Sequence, residues 1–457
     1  MLPRLASLLI LAMGIGCGGA SPDASRAETG TVLSRLPIAG LLEGGRLDVG
    51  PVKREVPADA DVPRDEEQLR TWLADPTGPA EIWLPERVWK GDWRVRRKVA
   101  LRGAGPGTVL EGSGTGTVLD LEAEGSLVEN LTIVGTGSHH TSEDSAVRLR
   151  GSHNRLSRLF LDQVLFGAAL EGCVECAVER LHVVGREGLT DVRGDGIKVW
   201  ESHGSTVSHC LVERSRDLVV WYSRNVTLDG NVVRESRYGT HFMYAHDATV
   251  RGSAVIDNIV GIFVMYSARV NVEDNVLAGA GGPAGVGLGF KDSDSVTVRG
   301  NWIVGNTVGM YVDQTPRRPE EPLLIEGNVL AVNSIGLRMH AQPHGVSILG
   351  NDLHENAETA QVDGGGDATT ATWSGNYWSD YAGFDLDDDG VGDVAWQVKR
   401  LSSELTDTRP SLKLLRGTAA MATLDAVARA VPVLTSKLLL SDPLPSMNPH
   451  LLGSEAR

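Results

Sequence analysis

Methionine and histidine recur in this chain at one spacing. His241 and Met243 stand two positions apart, and Met265 follows one repeat later. Thioether sulfur is a soft ligand that favours Cu(I), and imidazole binds either copper state, so such a set on one surface could hold copper. His246, Met339, His340 and His344 are further candidates. A second constellation is hard rather than soft. Asp385, Asp387, Asp389 and Asp393 surround Gly390 with the alternating spacing that gathers oxygens around Ca²⁺. The twelfth position of that loop is Trp396 instead of Glu, which excludes a standard EF-hand and leaves a lone calcium clip or a solvated acidic loop. Asp195, Lys198, Lys291, Asp292 and Asp313 could supply acid–base groups to a carbohydrate enzyme, but no recognisable motif ties any pair together.

What positions these residues is a repeat. Glycines at 196, 239, 261, 287, 309 and 336 each open a short apolar run, and with Asp217 filling the slot between the first two the runs recur about every 22 residues. A second block ends on Asn231, Asn275, Asn301, Asn328, Asn351 and Asn376. The runs alternate with a period of two, as in Val226, Leu228 and in Val270, Val272, and none has helical spacing. A fixed period of this length with strand-like alternation predicts an all-β, right-handed parallel β-helix. The asparagines read as a stacked turn column, placed there for their tolerance of left-handed backbone and for amide bonding up the ladder. Eleven rungs run from Val128 to Trp373, which at roughly 4.8 Å per step gives a rod of about 48 Å.

Alternation also selects a face. With Ile197, Val199, Leu218, Val220, Ile262, Val264, Met310 and Val312 inward, the outward positions are Trp200, Trp221, His241, Met243, Phe263, Met265, Tyr311 and His340, among others. An outward ladder of Trp, Met, Phe, Tyr and His marks a binding surface, for a partner or for copper. A slip of one residue would put these side chains in the core and bury Lys198, Lys291, Asp313 and Arg338 with them.

At 457 residues, one solenoid accounts for the chain from 81 to 380. Glycine at 54 and aromatics at 5% fit a turn-rich β architecture, and a formal charge of −16 argues against nucleic acid as a partner. Residues 1–17 have the apolar run and small residues of an export signal, with Cys17 placed as a lipidation site, so a periplasmic protein is expected, either lipid-anchored through Cys17 or with the signal peptide fully removed. Residues 18–80 read as a tether with a short helix within Pro57–Arg70, and 381–457 as an acidic loop and a helical or extended tail, with helical spacing over Leu412–Leu440 around Pro432. The tail would cap the last coil, which otherwise exposes unpaired backbone. Cys173 and Cys176 could form a redox or metal pair, and the simpler reading makes them, with Cys210, small buried cysteines.

At Tyr238-Gly-Thr-His-Phe-Met-Tyr, Gly261-Ile-Phe-Val-Met-Tyr-Ser and Gly287-Leu-Gly-Phe-Lys-Asp-Ser the chain resembles the NosD family. The segment from Gly375 to Asp393, Arg409-Pro-Ser-Leu, Ala430-Val-Pro-Val-Leu and Asp442-Pro-Leu-Pro extend the likeness over roughly residues 80–445. The resemblance implies a periplasmic accessory protein without catalysis of its own, serving denitrification. Its implied partners are an ABC transporter membrane subunit, a lipoprotein copper chaperone and apo nitrous oxide reductase, whose copper centres it helps to assemble. The competing class is a carbohydrate-active β-helix enzyme: a uronate polysaccharide lyase, hydrolase or epimerase.

Overall fold

Each coil of such a repeat has an apolar face that only another coil can cover, so the coils must stack. A computed structural model, which describes residues 47–341, 343–399, 405, 409–415, 418–430 and 437–450, shows that stack. Three parallel sheets of 13, 13 and 12 strands run along a β-solenoid, each strand pairing with its equivalent one coil away. The eleven rungs from Val128 to Trp373 are consecutive strands of the first sheet. Their central residues, among them Val207, Leu228, Val250, Val272 and Val298, are buried in one continuous core.

The corners are polar ladders. Oδ1 of Asn301 accepts the backbone N–H of Asn275, and Oδ1 of Asn328 accepts that of Asn301. The column continues through Asn351 and Asn376, while Asn231 joins it by way of Ser253. The left-handed residue at this corner is not the asparagine but the one before it: Gly230, Asp274, Gly300, Gly327, Gly350 and Gly375 have positive φ. The amide therefore serves the ladder alone, and the residue ahead of it makes the turn. A second amide ladder, Asn306–Asn333–Asn356, lines another corner.

Both ends are covered. From Val52 the chain lies along the rod, exchanging hydrogen bonds with Asn130, and Arg54 pairs with Glu129. Helix α1 (Glu66–Ala74), N-capped by Asp65, buries Leu69 and Leu73 against the first coils. The part of 18–80 that is described is thus packed on the solenoid rather than free of it. At the other end strand Leu438–Asp442 pairs antiparallel with Trp396–Lys399, so the end of the expected helical stretch is a strand. Asp442 accepts from Asn376 and from the indole of Trp378, which ends the asparagine column on a carboxylate. Helix α2 covers Ala419–Ala430. Cys17, the export segment and Pro432 lie outside the described residues. No helix among the described residues is long and apolar enough to cross a membrane.

Candidate functional site

The candidate face is built by seven consecutive strands of the third sheet: β1 (Ile197–Trp200), β2 (Asp217–Trp221), β3 (Tyr238–Met243), β4 (Val260–Met265), β5 (Val286–Lys291), β6 (Val308–Asp313) and β7 (Ile335–His340). The register leaves Ile197, Val199, Leu218, Val220, Ile262, Val264, Met310 and Val312 inside. Their outward neighbours form two columns. In one, Trp200, Trp221, Met243, Met265, Lys291 and Asp313 are in register from coil to coil. In the other stand Lys198, Val219, His241, Phe263, Gly289, Tyr311 and Arg338.

In the first column the two tryptophans and two methionines are all half-buried, presenting part of each side chain outward. The second is more closed. Phe263 points outward but is only 8% exposed. Its ring lies over Gly289, where a β-carbon would come within 2.4 Å of it, and Tyr238 meets it edge-on at 6.2 Å. Phe263 is therefore a covered support and not an open anchor.

His241 also differs from an open metal ligand. Its ring stacks on Tyr238 at 4.7 Å, Nδ1 lies 3.5 Å from Asp217, and Nε2 is buried without a hydrogen-bond partner. It belongs to a chain of ion pairs that covers the early coils. Asp217 holds Arg237 through both carboxylate oxygens at 2.9 and 2.6 Å, and Asp195 holds Arg216 at 2.8 and 2.7 Å. Lys198 reaches Glu143, in the loop just before the strand Ser145–Ser152, at 2.7 and 2.5 Å, which explains how an outward lysine is nearly buried. Burial works against the Asp217 carboxylate, but His241 and Arg237 outweigh it and hold its pKa below the usual range. At Asp195 burial wins over Arg216, and the pKa is raised.

The structure separates other expected members. Tyr311 and His340 lie on β6 and β7, two and three coils beyond Met265, so His340 is about 14 Å along the rod from the methionine pair. His340 sits 3.6 Å from Asp313 and borders a cavity of about 350 Å³ that Asp292, Arg317 and His344 also line. The acid–base candidates do not converge: Asp195 and Lys198 are four coils from Lys291, which pairs with Asp313 at 3.2 Å. Asp385, Asp387 and Asp389 do converge, with carboxylate oxygens within 4.8 Å of one another. Asp393 does not join them; its Oδ2 accepts the backbone N–H of Leu386 at 2.7 Å. The Asp389 charge raises the pKa of Asp387. Cys173, Cys176 and Cys210 are buried free thiols, and burial pushes Cys210 up to about 12.

Three residues of this face escaped the sequence reading. Tyr222, Tyr244 and Tyr266 follow Trp221, Met243 and Met265 at the turn after each strand, and their rings stack on one another. The repeated WYS, MYA and MYS triplets carried the signal, but a turn position has no face until the coil geometry is known.

A family model described as periplasmic copper-binding protein (NosD) matches residues 175–383, the span that contains all seven strands. A probable ABC transporter binding protein NosD from Stutzerimonas stutzeri is 28% identical over 423 residues, covering 81% of this chain and 87% of that protein. On both counts the chain is similar to the NosD family. A second NosD, from Pseudomonas aeruginosa and of the same description, is 36% identical over 113 residues, 24% of this chain and 26% of that one. Among solved structures, the A-module of the Azotobacter vinelandii mannuronan C-5 epimerase AlgE6 superposes with a TM-score of 0.51 at 13% identity, covering 68% of this chain and 96% of the module. The catalytic unit of a GH87 α-1,3-glucanase from Streptomyces thermodiastaticus gives 0.54 at 14% identity, covering 71% and 70%. At that identity these two enzymes share the β-helical fold with this chain, and the likeness extends no further.

Proposed function

We propose that this protein is a periplasmic accessory protein in the assembly of the copper centres of nitrous oxide reductase, acting with an ABC transporter and a copper chaperone. The observation that carries the reading is the thioether pair Met243 and Met265, in register on an outward strip beside Trp221. Two soft sulfurs on neighbouring coils suit Cu(I), and the absence of a thiolate among their column neighbours suits cargo that must be given up again. His241, turned toward Asp217, orients the early coils instead of completing this set. The membrane subunit of the transporter is the proposed partner at the membrane, with Cys17 as the point of attachment. The three carboxylates Asp385, Asp387 and Asp389 are hard donors and form the proposed calcium clip.

Copper here is substrate, not a resident cofactor. Titrating purified protein with Cu(I) against a competing chelator tests the reading: wild type takes up Cu(I), and Met243→Ala with Met265→Ala does not. Equal uptake by both proteins would remove the pair from copper handling.

A further inference from the structure

Tyr222, Tyr244 and Tyr266 occupy one turn column, in which each backbone N–H donates to the next coil: Tyr222 to Met243, Tyr244 to Met265 and Tyr266 to Lys291. Glu201 precedes them in the same column and Asp292 follows, donating to Trp221 and Asp313. Resting on the reading of copper-centre assembly above, we propose that this tyrosine stack anchors a docking surface for a folded protein that presents two basic side chains about 19 Å apart around an apolar patch.

Backbone conformation gives the first reason. All three tyrosines have φ between 50° and 52°, the left-handed region that suits Gly and Asn. Among the described non-glycine positions with positive φ they are the Phe, Tyr or Trp residues; most others there are polar or charged. Three consecutive coils thus place a ring at a turn position that Glu201 and Asp292 fill with a charge in the same column.

Ring geometry gives the second. Neighbouring rings are 5.1 Å apart at both steps, with interplanar angles of 4° and 16°, and Trp221 continues the stack at 5.4 Å. The faces are spent on one another, so edges and hydroxyls are what reach solvent; Tyr222 is 46% exposed and Tyr244 37%. A sugar needs an open ring face. A rigid ridge of edges and hydroxyls, losing little entropy on contact, suits a protein surface.

Charge gives the third. Nearby cations are already committed, Lys291 to Asp313 and Lys198 to Glu143. Glu201 and Asp292 form no ion pair among the described residues, and they flank the stack four coils apart. The ridge is apolar in the middle and acidic at both ends, so its complement is basic at both ends.

The test compares wild type, Tyr222→Asn/Tyr244→Asn/Tyr266→Asn and Glu201→Gln/Asp292→Asn. Binding to purified apo nitrous oxide reductase and to the purified copper chaperone is measured at several salt concentrations, alongside thermal melting. The triple variant is expected to melt at or above the wild-type temperature and to bind one of the two proteins at least tenfold more weakly. The charge variant is expected to associate more slowly and to lose salt dependence. Binding by the triple variant within twofold of wild type overturns the ridge alone, and so does a marked fall in melting temperature, which would make the stack structural. Wild type that binds neither protein overturns the functional reading and the ridge together. Tyrosine-dependent binding of alginate oligosaccharides in place of either protein overturns the protein partner.

Discussion

Met243 and Met265 are direct neighbours across one coil on the outer side of the third sheet, with Trp221 in register before them and Lys291 after. Both side chains point away from the core that Phe242 and Val264 fill from the same strands. Replacing both methionines by alanine removes two sulfurs without opening an internal cavity. The expected loss of stability is under about 1 kcal/mol, against about 3–5 kcal/mol for Phe242→Ala. Urea unfolding of the three proteins checks this, and a double variant as unstable as Phe242→Ala would put the methionines in the core.

Gly289 is the seat of the Phe263 ring. Gly289→Ala forces the ring outward and is expected to cost about 1–3 kcal/mol. Adding Phe263→Leu should recover part of that loss, because the smaller side chain leaves room for the new methyl group. Strictly additive unfolding energies would show that the ring and the glycine do not share one space.

The alternation, the eleven rungs and the asparagine column were legible because each is a property of the repeat itself, carried by period and residue type. The degree of closure was not. Phe263 is covered by a glycine one coil later, and His241 is turned by an aspartate one coil earlier, so both depend on which residues the register sets side by side. The asparagines were misread as the left-handed residues for a related reason. Gly and Asn both tolerate that conformation, and only the φ angles show that Gly300 takes it while Asn301 does not.

Asp217 links burial to pH. Its folded pKa is depressed, so its contribution to stability is complete above the ordinary carboxylate value of about 3.9 and is lost as pH falls through the lower folded value. Asp217→Asn leaves Arg237 and His241 without their acceptor and should cost about 3 kcal/mol at pH 7. The gap between the two proteins should begin to narrow below about pH 4 and close only below the lower folded value. Asp195, with a raised pKa, has the opposite sign: its contribution improves as it takes up a proton. Unfolding measured from pH 7 to pH 3 decides the matter, and a pH-independent gap would mean that the Asp217 charge is not what stabilises these coils.

The convergence of Asp385, Asp387 and Asp389 predicts a Ca²⁺-dependent melting temperature. At free Ca²⁺ about 100-fold above its Kd, linkage gives about 2.7 kcal/mol. Calcium should raise the melting temperature of wild type, chelator should reverse the rise, and Asp387→Ala should respond to neither. Asp393→Ala should keep most of the response, since that carboxylate faces the loop backbone. Identical melts for wild type with calcium and with chelator would leave the loop a solvated acidic turn.

The copper content of nitrous oxide reductase matured in cells tests the working face most directly. Cells lacking the chromosomal copy would carry either wild type or Met243→Ala/Met265→Ala, with both proteins confirmed at equal abundance. The account predicts reductase with substantially less copper per chain in the double variant. Reductase loaded to the wild-type level beside a stable, abundant double variant would contradict it.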